Sequence, residues 1–241
     1  MAGHSKWNNI KQKKGKTDAQ RGKIFTKISR ELIVAVKEGG GDPASNAKLR
    51  DAVAKARAAN VPNDNIKRVI EKAVGGGDTT YEVGIYEGYG PSGVAVIVET
   101  MTDNKNRTAS DMRHYFDKYG GNLGTEGCVA WSFDRKGVLV IDNESETLDE
   151  DAVMLDALDA GAADFTFEET VFVIYTAPEV FGDVRTMLEE KSYAFLSAQI
   201  EMVPQSHIKL ESPEDQAKME KLLAMLEDND DVQNVWHNWE E

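Results

Sequence analysis

The chain has 241 residues, 41% of them apolar, and carries a net −14 at pH 7. That apolar share can bury real cores and excludes general disorder, while the lone Cys128 excludes an intramolecular disulfide framework and suits a reducing cytosol. No apolar run approaches the ~18 residues of a membrane span, and the lysine-rich start has no apolar stretch of a secretory signal, so a cytoplasmic protein is expected.

Met1 to Thr17 holds few apolar residues, mainly Trp7 and Ile10, among several lysines. It cannot bury enough to offset the entropy of ordering and is expected to be mobile when unbound. Asp18 suits an N-cap for a helix to about Val36, stopped by Gly39-Gly40-Gly41-Asp42-Pro43. At about 100° per residue, Phe25, Ile28, Leu32 and Val36 share one face of that helix. Lys23, Lys27, Arg30 and Lys37 fall on the opposite side, with Val34 the one apolar interruption, so the helix should dock while presenting cations outward. Two further helices are expected, from about Asn46 to Ala59 and from Asn63 after Pro62. Gly75-Gly76-Gly77-Asp78 then reads as a hinge or linker.

The composition changes there. β-branched and aromatic residues predict strands over Tyr81–Tyr89 and Val94–Thr100, a helix over Thr108–Tyr119 and a strand over Cys128–Phe133. From Gly137 the order is strand (Val138–Ile141), helix (Asp149–Ala160), strand (Asp164–Glu168), strand (Val171–Thr176). A helix opening on Pro178 and a strand over Ala194–Val203 complete a βαββαβ unit of ferredoxin-like type. The tail supplies a strand near His207–Leu210, a helix capped by Ser212 with Pro213 at its first position, and a last strand, Val232–His237. It is too small to fold alone and should return to the middle block. The expected class is therefore α+β: a basic helical domain (1–77), a discontinuous α+β domain (78–136 and 204–241), and a ferredoxin-like domain (137–203) inserted in it.

The charge is split along this order. Residues 1–75 hold 17 Lys+Arg against 7 Asp+Glu, a local +10, which leaves 11 against 35, or −24, for residues 76–241. A basic segment gains free energy on a polyphosphate by displacing condensed counterions, whereas an acidic body is repelled. Contact with nucleic acid is therefore expected through the head. Lys6, Trp7, Lys11, Lys13, Lys14 and Lys16 have the cation-plus-aromatic makeup that suits single-stranded or irregular nucleic acid, the indole stacking on a base while lysines track phosphates. A solubilising tail with Trp7 packed on the helices is the alternative.

Motifs for chemistry are scarce. Gly88-Tyr89-Gly90-Pro91-Ser92-Gly93 lacks the lysine and Ser/Thr of a phosphate loop and precedes a strand, so it reads as a hairpin connection. Gly120 and Gly121 read as a helix stop. The four histidines have no ligand spacing, one cysteine makes no thiolate cluster, and no nucleophile–base or paired-carboxylate arrangement can be named. Asp228-Asn229-Asp230-Asp231 reads as a solvated acidic turn. No enzyme, metal or cofactor is expected. Asp103-Asn104-Lys105-Asn106-Arg107-Thr108 reads equally as a phosphate site, with helix-start N–H groups and two cations, and as a helix cap, at Thr108 or Asn106, with ordinary surface charges.

GHSKWNNIKQKKGKTDAQRGKIFTKI (Gly3 to Ile28), YEGYGPSGVAVIVE (Tyr86 to Glu99), TDNKNRTASDMRHYFDKYGGNLG (Thr102 to Gly124), GCVAWSF (Gly127 to Phe133) and LEDNDDVQNVWHN (Leu226 to Asn238) resemble the YebC-type proteins. That family includes bacterial proteins described as probable transcriptional regulators and the mitochondrial translational activator of cytochrome c oxidase. The resemblance implies a helical N-terminal domain followed by two α+β domains, one inserted in the other. It also implies a non-enzymatic regulator of gene expression, described either as DNA-binding or as a ribosome-associated factor easing translation through proline-rich stretches. Mapped residue by residue, it offers Lys6, Trp7, Lys11, Lys13, Lys14, Lys16, Arg21, Lys23 and Lys27 as nucleic-acid-binding candidates. Lys105 and Arg107 come from the central motif, and Arg30 is added for sharing the basic face. The partners expected are DNA or ribosomal RNA, with the ribosome itself as a further possibility and no membrane.

Overall fold

The computed structural model describes residues 18–240 apart from 78, 146 and 169. It is α+β, and its described residues fall into two compact units, 18–132 with 208–239, and 133–207 with 240.

The first unit opens with helices α1 (Asp18–Gly39), α2 (Ala47–Ala58) and α3 (Asn63–Val74). α1 outruns its expected end at Val36 by three residues, and Gly40 at φ 84° turns the chain out of it. Asn46 fixes the corner: its amide donates to the carbonyls of Ala35 and Gly40 (both 2.8 Å), and its oxygen accepts from the Leu49 N–H (3.1 Å). A β-carbon on Gly39 would lie 2.8 Å from that amide, so the close approach needs glycine. Ile28, Leu32, Ala35 and Val36 pack with Leu49, Val53, Ala56, Ile66 and Ala73. Phe25, expected on this face, is only half-buried.

An antiparallel sheet follows. β1 (Glu82–Tyr89) and β2 (Ala95–Thr102) pair in register from Glu82–Thr102 to Tyr89–Ala95, so the Gly88–Gly93 segment is part of a hairpin and its turn. Helix α4 (Lys105–Lys118) starts three residues before the expected Thr108, because Asn104 is its cap. Gly120, at φ 80°, ends that segment as expected. β3 (Asn122–Leu123) joins β1. The tail strand, ninth in chain order and so β9 (Val232–His237), pairs with β2, giving the order β3-β1-β2-β9. Helix α7 (Pro213–Asp228), capped by Ser212, lies on one face. Val94, Val96, Val98, Met112, Phe116, Met219, Leu222 and Leu226 form that core, each worth ~1.5–3 kcal/mol of transfer.

The expected strand over Cys128–Phe133 is absent. Residues 130–132 form a 3-10 turn, and the strand starts at Phe133. The cause is Glu87, whose carboxylate accepts the N–H groups of Gly127 (2.7 Å), Val129 (2.9 Å) and Ala130 (2.8 Å), donors a ladder would need.

The second unit contains β4 (Phe133–Asp142), α5 (Glu150–Asp159), β5 (Asp164–Glu168), β6 (Val171–Thr176), α6 (Phe181–Glu190) and β7 (Phe195–Pro204). Its sheet order is β5-β6-β4-β7 with every neighbouring pair antiparallel, the ferredoxin-like arrangement. β4 absorbs the shorter strand expected at Val138–Ile141. α6 begins at Phe181 instead of Pro178, because Pro178 lies in a turn closed by the Val180 N–H on the Ala177 carbonyl (3.3 Å). Leu139, Ile141, Phe172 and Ile174 pack against Val153, Ala157, Val184 and Leu188 of the helices. β8 (Ile208–Lys209) leads back to the first unit. No helix among the described residues is long and apolar enough to cross a membrane.

Candidate nucleic-acid interface

Lys6, Trp7, Lys11, Lys13, Lys14 and Lys16 lie outside the described residues, and Arg21 is placed only as part of the α1 backbone. The remaining head candidates, Lys23, Lys27 and Arg30, run along α1 and meet the end of α7. Lys23 Nζ bonds the Asp228 carboxylate and its backbone carbonyl (3.2 Å), and Lys27 Nζ donates to the Glu227 carbonyl (2.7 Å). These carbonyls close the negative end of α7, whose last turn has no basic residue of its own. Lys37 reaches the Thr79 carbonyl (2.7 Å) and the Thr80 hydroxyl (3.0 Å). The face expected to present cations outward is instead bonded within the molecule, since an acidic helix end offers charge and unpaired carbonyls together. Val34, on the same side, is half-buried.

Asp231 organises the centre of this contact. Its carboxylate accepts from Arg30 (2.5 Å), Arg107 (2.9 Å), the Thr108 hydroxyl (2.7 Å) and the Thr102 hydroxyl (3.1 Å). Arg30 also donates to the Met101 carbonyl (2.8 Å), and its guanidinium lies 5.0 Å from the Tyr81 ring centroid. Burial pushes the Asp231 pKa upward, but the bonds from Arg107, Thr108, Arg30 and Thr102 outweigh it and hold the carboxyl at about 2. The reading of residues 228–231 as a solvated acidic turn is thus corrected at Asp231, which is 4% exposed.

The central motif resolves in the same direction. The Asn104 side chain accepts the Arg107 N–H (3.1 Å) and the Asn104 carbonyl accepts the Thr108 N–H (3.1 Å), so these helix-start donors are already capped. The cap is Asn104, not Asn106 or Thr108. Lys105 pairs with Glu82 (2.5 Å), and Arg107 with Asp103 (2.8 Å) and Asp231. Asp103, Asp111, Asp228, Asp230 and Asp231 line the adjoining open groove with Lys23, Arg30 and Arg107, an excess of negative charge that disfavours a phosphate there. The geometry matches the helix-cap reading of this segment.

Two features escaped sequence reasoning. The Asp231 cluster joins positions separated by more than a hundred residues, which no local pattern reveals. The second is on α2 and α3. Arg50, Arg57, Lys67, Arg68 and Lys72 are exposed and form no hydrogen bond or ion pair among the described residues. Helix periodicity, applied to these two helices as it was to α1, would have found them. Cys128, expected at the start of a strand, sits instead in the turn held by Glu87, and burial, helped by the Glu87 charge, raises its thiol pKa.

Comparison with known proteins bears on both units. Residues 5–76 match the family description "TACO1/YebC protein N-terminal domain", and residues 81–239 match "TACO1/YebC second and third domain". A protein of Acetivibrio thermocellus named "Probable transcriptional regulatory protein" is 60% identical over 240 residues, covering 99% of each chain. One of the same name from Caldicellulosiruptor bescii is 60% identical over 242 residues, covering 100% of this chain and 99% of its own. The crystal structure of a conserved hypothetical protein from Aquifex aeolicus superposes with a TM-score of 0.84 at 44% identity, over 93% of this chain and 92% of that one.

Proposed function

The chain belongs to the TACO1/YebC family, and from that membership and its charge layout we propose that it is a non-enzymatic, cytoplasmic, nucleic-acid-binding regulator of gene expression. The observation that carries this reading is the +10 of residues 1–75 set against the −24 of residues 76–241. Counterion release rewards only the head, so a polyanion is gripped from one end and the body is held off. The names of the relatives, probable transcriptional regulatory proteins, support the regulatory part.

Between DNA and ribosomal RNA, the chemistry of the head favours RNA. Its cations are mostly lysines, which serve phosphates better than base edges, and no helix-turn-helix with a base-reading face is recognisable in the sequence. A small basic head ahead of a strongly acidic body suits a charged RNA cleft that only the head enters. The refined reading is a ribosome-associated factor that relieves stalling at proline-rich stretches. Ribosome sedimentation at low and high salt, with ribosome profiling of a deletion strain, tests it. Salt-sensitive co-sedimentation and pauses at proline codons are expected. Absence from ribosomes, with protection of one promoter against excess bulk DNA, would overturn the RNA reading and leave the DNA one.

A further inference from the structure

The described cations of the head sort into two sets. Lys23, Lys27, Arg30 and Lys37 of α1 are bonded to residues 227–231, 77–80 and 101. Lys48 and Lys55 of α2 reach back to Glu38 and Glu31 of α1 (both 2.5 Å). Within the head, every described cation with no partner among the described residues lies on α2 or α3: Arg50, Arg57, Lys67, Arg68 and Lys72.

We infer that the phosphate-gripping surface of the folded head is the exposed side of α2 and α3, and that it takes the phosphodiester backbone of a structured RNA. Only a cation whose charge is balanced by mobile ions releases them when a phosphate arrives. Lys23 and Arg30 are balanced by fixed carboxylates, and Lys27 and Lys37 are bonded to backbone carbonyls, so a phosphate there must first break protein bonds. At about 100° per residue, Arg50 and Arg57 lie within about 20° of one another on α2, and Arg68 and Lys72 within about 40° on α3. Each pair can therefore address one line of phosphates. α2 and α3 together carry seven cations and three acids, Asp51, Asp64 and Glu71. The acids lower the field but leave it positive. Three of these five cations are arginines, whose forked donors engage phosphate bidentately. This inference rests on the nucleic-acid reading above and names the surface that reading requires.

The test is binding of the full chain to a fluorescein-labelled stem–loop RNA and, separately, to a duplex DNA of equal length, by anisotropy across a salt series. Three proteins are compared: wild type, the variant with Arg50, Arg57, Lys67, Arg68 and Lys72 all changed to Gln, and Lys23→Gln/Lys27→Gln. Glutamine keeps helix propensity, and thermal unfolding checks the fold. The log–log salt slope of the five-fold variant on RNA should flatten by about 0.7–0.9 for each lost contact, while the Lys23/Lys27 variant should stay within twofold of wild type. If the five-fold variant does not fold, Arg50→Gln/Arg57→Gln and Lys67→Gln/Arg68→Gln/Lys72→Gln are read separately. Wild-type binding that survives these changes overturns the assignment to α2 and α3 alone. Tighter wild-type binding to the duplex DNA overturns the choice of RNA, and no wild-type binding to either overturns the nucleic-acid reading itself.

Discussion

Arg30 and Asp231 lie 201 positions apart in the chain and meet at 2.5 Å, so one buried ion pair ties the first helix to the turn before the last core strand. The pair is embedded: Asp231 is also bonded by Arg107, Thr102 and Thr108, and the Arg30 side chain is 12% exposed. Removing the carboxylate leaves buried cationic and hydroxyl donors facing a void. Asp231→Ala should therefore cost about 3–5 kcal/mol, far above the ~1 kcal/mol of a surface pair. Urea denaturation measures it, and a loss below about 1 kcal/mol would show that the cluster is not a structural centre.

The same carboxyl predicts an acid response. Its pKa is depressed to about 2 in the fold, from 3.8 as a reference. A depressed acid contributes stability above its unfolded pKa and loses it as pH falls through the folded one. The contribution is about 1–2 kcal/mol, complete at neutral pH and draining between about pH 4 and pH 2. Asp231→Asn has no such proton to gain. The stability gap between it and wild type should narrow as the pH is lowered through that window. A gap that stays constant would assign the acid response to other groups.

Where an element rests on local periodicity, the sequence carried it. The βαββαβ order and the Ser212–Pro213 helix start stand in the structure, and so does the return of Val232–His237 to the middle sheet, which was expected because the tail is too small to fold alone. Local reasoning fails where a distant group captures the backbone. The residues after Gly127 have strand-like composition, but Glu87, 40 positions earlier, takes their N–H groups. The basic side of α1 was legible as a pattern, while its partners, the α7 end and Asp231, come from the other end of the chain. Charge pattern shows that a cation exists; only tertiary structure shows whether its counter-ion is a solvent ion or a carboxylate.

Glu87 gives the third prediction. Burial raises its pKa, but N–H bonds from Gly127, Val129 and Ala130 lower it further than burial raises it, and the residue is 4% exposed. Glu87→Ala strips three donors of their acceptor. Amide hydrogen exchange at 127–130 should accelerate by tenfold or more, since each buried bond is worth ~1–3 kcal/mol and 1.4 kcal/mol is a factor of ten. Trp131, 73% exposed with its indole N–H on the Cys128 carbonyl (2.9 Å), should gain mobility at the same time. Unchanged protection would mean that the turn holds itself without the carboxylate.

The last prediction concerns the division into domains. The buried residues of the helical core run from Ile28 to Ala73, and those of the sheet core from Val94 to Trp239, with no residue shared. A fragment of residues 78–241 should therefore unfold cooperatively by itself. It keeps Arg107, Thr102 and Thr108 on Asp231 and loses only the Arg30 bonds, so a lower stability is expected, not collapse. Ending the chain at Val203 should act quite differently. It removes β9 from the edge of β2 and takes Met219, Leu222 and Leu226 out of the core, which the rest of the middle sheet cannot replace. Urea titrations followed by circular dichroism would separate the cases. A broad, non-cooperative transition in the 78–241 fragment would show that the helical head is part of the body's folding unit, and a chain ending at Val203 that kept the middle sheet would refute the discontinuous domain.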